Sequence, residues 1–427
     1  MLNHYIIQAL RSFWRFRVTA AVNLLGLVLA VVCFIATYLY LDSMVQADTH
    51  FPKSARTWVI TQELWNSPTS RMLPALPNSG PPVAAGLRAD FPQLEAVGRA
   101  VSLGAQSVAT DDRKTDVFTA AIDPEFLRIF DLDFKAGDPA TAVSSEHSAI
   151  LTERAAERLF GTTQVLGRRI LLQTRVEVTI TGVIARIPEP SHMGDDPGVS
   201  LRFDVLVPMR LLKELHTVGG IGVLVDGDSP VWANDIFYTY VLFPADGSFT
   251  PQELISQFPA FAERRANRPE IPIKSVFGAV PVSGLQLAYW DALAGGNGVS
   301  VATMIFVLDA LILAIACVNY ANLAVAVATT RAKEIGVRKV LGADLLNLWG
   351  LLSKEFLKLT VISILIGVPV AFYGMNKWIE GYLYHAPLSW WIFAAAGLGL
   401  IAITLCTVSY QALKAALMNP VNSLRSE

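Results

Sequence analysis

The sequence predicts a membrane protein in which four transmembrane α-helices accompany one large α+β domain, inserted between the first and second helix. The 427 residues are 53% hydrophobic and only 16% charged, whereas soluble domains are about a quarter charged. Four apolar segments are long enough to span a bilayer, which takes about 20 residues. The stretch 42–300, between the first two segments, has the mixed polarity of a globular domain.

The four predicted spans are residues 18–41, 301–327, 356–378 and 389–411. We expect them to be helical, because lipid offers no hydrogen-bond partner to an open backbone. The first span is about twice as long as the apolar core of a signal peptide, and no clear small-x-small cleavage site follows it. We therefore expect it to be retained.

The N-terminal residues 1–17 show a helical repeat, with apolar side chains at Leu2, Ile6, Leu10 and Phe13 and arginines near the end. This pattern predicts an amphipathic helix that lies on the cytoplasmic face of the membrane. The alternative is a plain extension of the first span.

The distribution of Lys and Arg predicts the orientation. Basic residues occur in 1–17, in the loop 328–355 and in the tail 412–427, and none occurs in the short connection 379–388. Because basic loops stay in the cytoplasm, both termini and the long loop are expected inside. Residues 42–300 are then expected outside the cytoplasm.

The predicted external domain alternates between strand and helix patterns. Residues 93–103 and 176–187 are rich in Val, Ile and Thr with near-alternation, which favours strands. Short helices are expected after the N-cap candidates Asp123 and Thr152, the second ending at Gly161. This mixture predicts an α+β fold.

The sequence contains no motif that predicts catalysis by this chain. The four histidines of the predicted external domain lack metal-site spacing, and there is neither a G-x-S-x-G elbow nor a Walker A sequence. The stretch "GTTQVLGRR" from Gly161 has the wrong spacing and no Lys-Ser/Thr. We therefore expect no enzymatic activity, no cofactor bound directly and no ATP hydrolysis by the chain alone.

Two features of the sequence invite a metal interpretation, which we weigh against simpler ones. The acidic turn "GDDPG" around Asp195 and Asp196 lacks the 12-residue ligand pattern of a calcium loop, so a solvated turn is expected. Cys33, Cys317 and Cys406 each lie in an apolar run. We interpret them as small hydrophobic side chains rather than as disulfide partners or zinc ligands, and predict no metal site.

The basic segment 331–344, "RAKEIGVRKVLGAD", is the most informative stretch of the chain. A loop that served only to fix the orientation in the membrane would need its cations and nothing more. This segment also has a helical pattern, since Glu334 and Arg338 are spaced for an i,i+4 pair. Gly336 and Gly342 permit close backbone approach or a break. One apolar stripe consists of Val337, Leu341, Leu345, Leu348 and Leu352. Such a helix can lie in the membrane interface or offer a docking surface to a partner.

Asp309 lies inside the second predicted span. A carboxylate at the centre of a span costs roughly 2.5–3.5 kcal/mol on insertion scales and is a candidate functional residue by default. We expect a polar contact between helices or across a dimer. A proton relay is disfavoured, because no second carboxylate or histidine lies at a suitable depth.

The stretch "CVNYANLAVAVATTRAKEIGVRKVLGAD", 317–344, resembles the signature of FtsX-domain permeases in MacB-like (type VII) ABC systems. The matching positions are Cys317, Asn319, Asn322, Leu323 and 331–343. The C-terminal "SYQALKAALMNPVNSLRSE" resembles the ending of that family, with Gln411 in place of its usual proline. The pieces "IDPEFLRIFDLDF" and "AILTERAAERLFG" resemble the MacB-type periplasmic core domain.

The resemblance implies a dimeric permease without catalytic residues in the bacterial inner membrane, with ATP and Mg on a separate ATP-binding subunit. Its partners would be that subunit, a second or sister permease, membrane lipid and, in some systems, a periplasmic adaptor; the net charge of −2 gives no reason to expect nucleic acid. Asp309, Asn319 and Asn322 would make polar contacts in the membrane. The implied ATPase-coupling residues are Arg331, Lys333, Glu334, Gly336, Arg338, Lys339 and Gly342.

Two functions follow from the resemblance. In the first, the chain converts ATP hydrolysis on its partner into a conformational change in the periplasm (mechanotransmission) for export or efflux. In the second, it is an FtsX-like transmembrane signalling protein that regulates an envelope enzyme or a sensor kinase. Cargo, choice of ATPase and adaptor, and homodimer versus heterodimer are not encoded in any motif of the chain.

Overall fold

The structure, a computed structural model, describes residues 17–110, 113–197, 199–215, 230–233, 235–269, 272–294, 300–330, 345–380 and 390–417. The chain divides into two compact units. Residues Asp42–Val301 form one, here named the inserted domain. Residues Met1–Leu41 and Ala302–Glu427 form the other, here named the helical unit.

The described residues form the α-helices α1 Arg17–Gln46, α2 Pro82–Asp90, α3 Pro124–Phe130, α4 Glu153–Phe160, α5 Pro251–Arg265, α6 Leu285–Leu293, α7 Val301–Thr330, α8 Leu345–Glu380 and α9 Trp390–Leu417. The strands are β1 Thr57–Ser67, β2 Ser70–Leu76, β3 Ala96–Ala109, β4 Lys114–Ile122, β5 Phe134–Gly137, β6 Ser148–Thr152, β7 Arg169–Leu172, β8 Val176–Ile184, β9 Met193–Gly194, β10 Leu201–Arg202, β11 Val205–Pro208, β12 Tyr238–Leu242 and β13 Lys274–Pro281. The predicted α+β fold of the inserted domain is confirmed.

The helical unit contains most of α1 together with α7, α8 and α9. Within the described residues, one stretch, Val28–Gln46 in α1, has the length and apolar composition to cross a membrane, with a mean hydropathy of 2.0. Val301–Ile315, Thr360–Gly374 and Phe393–Cys406 are shorter apolar stretches of the other three helices. The four-span topology therefore stays a prediction.

One part of the inserted domain consists of two βαβ units. The first is β1-α2-β3 and the second is β12-α5-β13, and their strands lie side by side in the order β13-β1-β12-β3, with antiparallel neighbours. This is the strand order of a ferredoxin-like fold. Helices α2 and α5 cover one face of this sheet through an aromatic core that includes Phe91, Phe258, Phe261 and Phe277.

The residues between β3 and β12 extend the sheet into a closed ring. Strand β3 pairs with β4, β4 with β11, β11 with β6, β6 with β8, β8 with β7, and β7 pairs again with β3. The pairs β4–β11 and β6–β8 are parallel. Val117 and Ala121 of β4 belong to one apolar core, whereas Ala120 and Ile122 belong to another, so the two faces of this strand pack into different cores.

The predicted helix ends of this domain are largely confirmed. Thr152 caps α4, because its side chain accepts a hydrogen bond from the backbone N of Ala155, and Gly161 ends the helix with φ +71°. Asp123 also occupies an N-cap position, before α3, but its side chain makes no capping bond. It binds two arginines instead, as described below.

Some of the predicted features fall outside the described residues. These are residues 1–16 of the amphipathic helix predicted over 1–17, the basic segment 331–344 and residues 418–427 of the tail. Leu345, Leu348 and Leu352, from the apolar stripe, belong to α8, which continues without a break to Glu380.

Candidate functional site

The predicted ATPase-coupling residues lie between the last residue of α7, Thr330, and the first of α8, Leu345. All seven are outside the described residues: Arg331, Lys333, Glu334, Gly336, Arg338, Lys339 and Gly342. The structure therefore describes the two helices on either side of the segment and not the segment itself. Its role as a coupling element stays a prediction.

Asp309 of α7 borders a cavity of about 250 Å³ within the helical unit, formed by residues of α1, α7 and α9. The other lining side chains, such as Phe34, Leu313 and Leu400, are apolar. The Oδ2 atom of Asp309 is buried and has no hydrogen-bond partner among the described residues. Of the two asparagines proposed to act with it, Asn322 is exposed, and the side chain of Asn319 lies outside the description.

The helices of this unit approach one another at small and hydroxyl residues. A Cβ atom added to Gly367 of α8 would lie 3.6 Å from the Cα atom of Val28 in α1. The hydroxyl groups of Thr360 in α8 and Thr404 in α9 lie 3.3 Å apart, and both residues are buried. Small residues and buried hydroxyls of this kind favour helix association in lipid, where apolar side chains gain nothing by leaving the surface.

The chain that leaves α1 is fixed inside the inserted domain by a buried carboxylate. Helix α1 ends at Gln46, and Asp48 follows with φ +64° and no exposed surface. The Asp48 carboxylate accepts hydrogen bonds from Ser191 Oγ at 2.5 Å and from the backbone N of His192 at 3.1 Å. Its own backbone N donates to the carbonyl oxygen of Pro190 at 2.9 Å.

The imidazole of His192 extends this contact to the sheet. Its Nδ1 atom lies 2.8 Å from Asp48 Oδ2, and its Nε2 atom lies 2.7 Å from the hydroxyl of Tyr240 on β12. Burial raises the pKa of Tyr240 well above its usual value. The hydroxyl of Tyr240 therefore keeps its proton, and the imidazole lies within hydrogen-bond distance of both this hydroxyl and the Asp48 carboxylate.

We name Asp48, Ser191, His192 and Tyr240 the junction cluster. His192 and Tyr240 are fully buried, and Phe130 packs edge-on against Tyr240 at 4.9 Å between ring centroids. This Asp–His–Tyr chain joins three segments of the domain, namely the segment after α1, the segment 190–193 and strand β12. Sequence analysis missed it, because 144 residues separate Asp48 from His192 and neither lies in a recognisable motif.

The prediction of a solvated turn at Asp195 and Asp196 is wrong. These residues are only 3% and 5% exposed. Asp196 pairs with Arg154 at 3.3 Å and with Arg186 at 3.0 Å. These two ion pairs therefore hold Asp196 inside the domain. Among the described residues no group of three or more potential ligands is placed to hold a metal ion.

Glu189 lies beside this turn, and its side chain forms a hydrogen bond with Asp196. Burial, a hydrogen bond to Asp196 and the charge of Asp196 raise the pKa of Glu189 to about 7, although Arg186 opposes the shift. The pKa of Asp196 moves in the other direction: burial opposes ionisation, but the hydrogen bonds from Glu189 and Arg186 outweigh it. Of these two carboxyl groups, Glu189 is therefore the first to take up a proton as the pH falls through about 7.

Comparison with known proteins places both units in one family. Residues 20–236 match the MacB-like periplasmic core domain, and residues 306–420 match the FtsX-like permease C-terminal region. No curated protein sequence matches the chain significantly.

Three solved structures are similar to the chain. A domain of a putative permease protein from Porphyromonas gingivalis has 18% identity and a TM-score of 0.42, covering 54% of this chain and 91% of its own. The periplasmic region of MacB from Actinobacillus actinomycetemcomitans has 13% identity and a TM-score of 0.36, and the match covers 55% of this chain and 92% of that region. The extracellular domain of the noncanonic ABC-type transporter YknZ from Gram-positive bacteria has 16% identity and a TM-score of 0.31, and the match covers 52% of this chain and 99% of that domain.

The two family matches define a transmembrane permease component of an ABC transport system. The chain belongs to the MacB-like family of FtsX-type ABC permeases, which confirms the resemblance seen in its motifs. Permeases of this family are generally non-catalytic components of inner-membrane systems that work with an ATP-binding partner.

Proposed function

We propose that this chain is the permease subunit that converts ATP hydrolysis on a separate ATP-binding subunit into movement of its periplasmic domain, for export or efflux. The observation that supports this most is the continuity of α1. This one helix begins at Arg17 and ends at Gln46, two residues before the buried anchor Asp48. A change in the tilt of α1 would therefore pull directly on the inserted domain.

The proposal includes a four-span topology with both termini in the cytoplasm. Helices α7, α8 and α9 contain 30, 36 and 28 residues. At 1.5 Å per residue each exceeds the roughly 30 Å of the hydrocarbon core. The basic flanks of 1–17 and 328–355 support a cytoplasmic position for these segments.

The proposed force enters at the basic segment 331–344. Its cations and its helical pattern offer a docking surface for an ATP-binding subunit on the cytoplasmic side. Movement there would shift α7 and α8, which the segment connects, and α8 touches α1 closely at Gly367. Packed helices transmit small shifts as discrete rearrangements, since packed interiors do not deform continuously.

The proposed output is a rearrangement of the inserted domain around a rigid attachment. The junction cluster joins the segment after α1 to the segment 190–193 and to Tyr240 of the central strand β12. Buried hydrogen bonds are costly to leave unmade. The cluster would therefore move as one body with the end of α1 and turn the sheet with it.

ATP and Mg would bind the partner subunit, and a second or sister permease would complete the transporter. The test reverses the charge of Arg338 and Lys339 to Glu in a chain co-expressed with the ATP-binding subunit that co-purifies with it. Because docking would lose two cations and gain two anions, we expect the partner to be lost or its ATPase activity to be uncoupled, with normal membrane insertion. Full coupling in this double variant would contradict the docking role.

A matched control reverses the charge of two residues of the inserted domain. Arg268 and Lys274 are exposed, and the variant Arg268→Glu/Lys274→Glu makes the same change in net charge. It should retain the partner and its ATPase activity. Equal loss in both double variants would mean that net charge, rather than docking, is responsible.

Deletion of the gene distinguishes export from signalling. Loss of export, with ATPase activity stimulated by the cargo, would support the transport role. Unchanged export with loss of an envelope response would instead support the FtsX-like signalling function. Both outcomes leave the coupling role of Arg338 and Lys339 to be decided by the charge-reversal test.

A further inference from the structure

We propose that the inserted domain carries a binding site for an anionic group, a carboxylate or a phosphate, at the carboxyl ends of strands β4 and β11. The site is a polar cavity of about 240 Å³ within this domain. We name it the basic pocket. Its charged lining residues are Arg88, Arg99, Asp123, Glu125, Arg210 and Lys213.

The position of the basic pocket follows from the sheet topology. Strands β4 and β11 are parallel neighbours, and their last residues, Ile122 and Pro208, are paired. The residues that come next along the chain from both strands line the pocket: Asp123 to Glu125 after β4, and the 3₁₀ helix Met209–Lys213 after β11. In sheets with helices attached, ligands commonly bind outside the carboxyl ends of parallel strands.

The pocket is lined in part by a buried ion pair, in which Arg99 balances the charge of Asp123. Arg99 binds the Asp123 carboxylate with two parallel hydrogen bonds, Nε to Oδ2 at 2.9 Å and Nη2 to Oδ1 at 3.0 Å. Burial opposes ionisation of Asp123, but the hydrogen bonds and charges of Arg99 and Arg88 outweigh it and lower the pKa of that carboxyl. This buried pair holds Arg88 in place without consuming all of its donors.

Two arginines of the pocket, Arg88 and Arg210, have donors that are not used among the described residues. Arg88 donates from Nε and Nη2, to the carbonyl oxygen of Val97 and to Asp123, while its Nη1 atom has no partner among the described residues. Within the same part of the chain, the exposed guanidinium of Arg210 makes no hydrogen bond or ion pair. Lys213 adds a further positive charge. Four cations against two carboxylates leave the lining positive.

The chemistry of these groups selects an oxyanion. A guanidinium presents its N–H donors as a planar fork that matches a carboxylate or a phosphate. The volume is slightly below that of pockets for drug-sized ligands. The basic pocket therefore fits a small anion or the anionic end of a larger molecule, such as a peptide carboxyl terminus or a phosphoryl group.

The test measures binding to the purified full-length chain in detergent by calorimetry, at constant ionic strength. The probes are inorganic phosphate and N-acetyl-glycylglycine, with the neutral amide of the same peptide as the uncharged control. We expect saturable binding of at least one anion and none of the amide. Phosphate alone would identify a phosphoryl ligand, and the peptide alone a carboxylate ligand.

Variants locate the binding in the basic pocket. Arg210→Gln removes a charge that holds no partner in the described fold, so it should leave the domain folded and weaken binding by about tenfold or more. Arg175→Gln, an exposed arginine between β7 and β8, should bind like the unmodified chain. The proposal is overturned if neither anion binds saturably, or if Arg210→Gln binds as well as Arg175→Gln. Neither result bears on ATPase coupling, so the proposed function is tested separately.

Discussion

The inserted domain and the helical unit differ in where they place their large apolar side chains. In the inserted domain the largest fully buried residues are aromatic, among them Tyr240, Phe126 and Phe203. In the helical unit large apolar residues point outward, and Leu365 and Leu398 are each 67% exposed.

Both regions bury polar residues, but the buried polar residues described in the helical unit carry hydroxyl groups, among them Thr360, Ser363 and Thr404. Water drives apolar groups inward, whereas lipid does not, so helices in lipid gain from burying hydroxyl and small residues. The two regions are therefore stabilised in different solvents, one in water and the other in lipid. Substitutions of one type should consequently differ in their effect on stability between the two regions.

Truncation of a large side chain should give the greatest contrast. Tyr240→Ala removes a fully buried ring from the aromatic core and from the junction cluster, and should lower the free energy of unfolding of the inserted domain by about 3–5 kcal/mol. Leu365→Ala, on the exposed face of α8, should change stability by about 0.5 kcal/mol or less. Denaturant unfolding of the full-length chain in detergent measures both. Equal losses of stability in the two variants would contradict the proposed difference between the two regions.

Replacement of a carboxyl group by an amide should change stability with opposite signs in the two regions. Asp123→Asn breaks a buried, doubly hydrogen-bonded pair with Arg99 and should cost about 3 kcal/mol. Asp309→Asn replaces a carboxyl group whose buried Oδ2 atom has no described partner and should stabilise the helical unit by about 1 kcal/mol. Thermal unfolding in detergent compares the two. Destabilisation by Asp309→Asn in the assembled complex would mean that a partner chain pairs with this carboxylate.

Loss of the anchor after α1 should loosen one specific contact. Asp48→Asn replaces an acceptor-only carboxylate that binds Ser191 and His192, and should cost about 2 kcal/mol. Amide hydrogen exchange should accelerate at 191–193. The control is Asp42→Asn, because the Asp42 carboxylate accepts an exposed hydrogen bond from Gln46 at 2.7 Å and makes no other contact among the described residues. Unchanged exchange at 191–193 in Asp48→Asn would contradict the anchoring role.

The last expected effect is a pH dependence that belongs to the inserted domain. The pKa of Glu189 rises from 4.5 to about 7 on folding, so the folded state binds more protons than the unfolded state between these values. Its contribution to stability is therefore complete below about pH 4.5 and is lost as the pH rises through 7. Glu189→Gln should remove this part of the slope between pH 5 and pH 8. An identical slope in the variant would contradict the shared proton.

Local patterns predicted the parts of the structure that depend on near neighbours. The strands that include 96–103 and 176–184, the Thr152 cap and the Gly161 stop each follow from a few adjacent residues. The family likewise followed from one continuous stretch, 317–344, together with short domain pieces.

Contacts between distant residues could not be predicted in this way. The junction cluster joins residues 144 positions apart, and the strand ring closes only when β7 returns to β3. The stretch around Asp196 looks like a solvated turn because the partners of Asp196, Arg154 and Arg186, are not marked by any spacing rule. The charged lining of the basic pocket likewise comes from four separate parts of the chain.

The most direct test of the proposed mechanotransmission is a distance measurement on the inserted domain during ATP turnover. Spin labels are attached at Lys274→Cys, an exposed position on β13, and at the equivalent position of the permease partner. Cys33, Cys317 and Cys406 are first replaced by Ala. Electron paramagnetic resonance then compares the nucleotide-free and ATP-trapped complexes. We predict that the distance changes with ATP and that the change disappears in Arg338→Glu/Lys339→Glu. The same distances in both nucleotide states, in a complex that hydrolyses ATP at the full rate, would contradict the account.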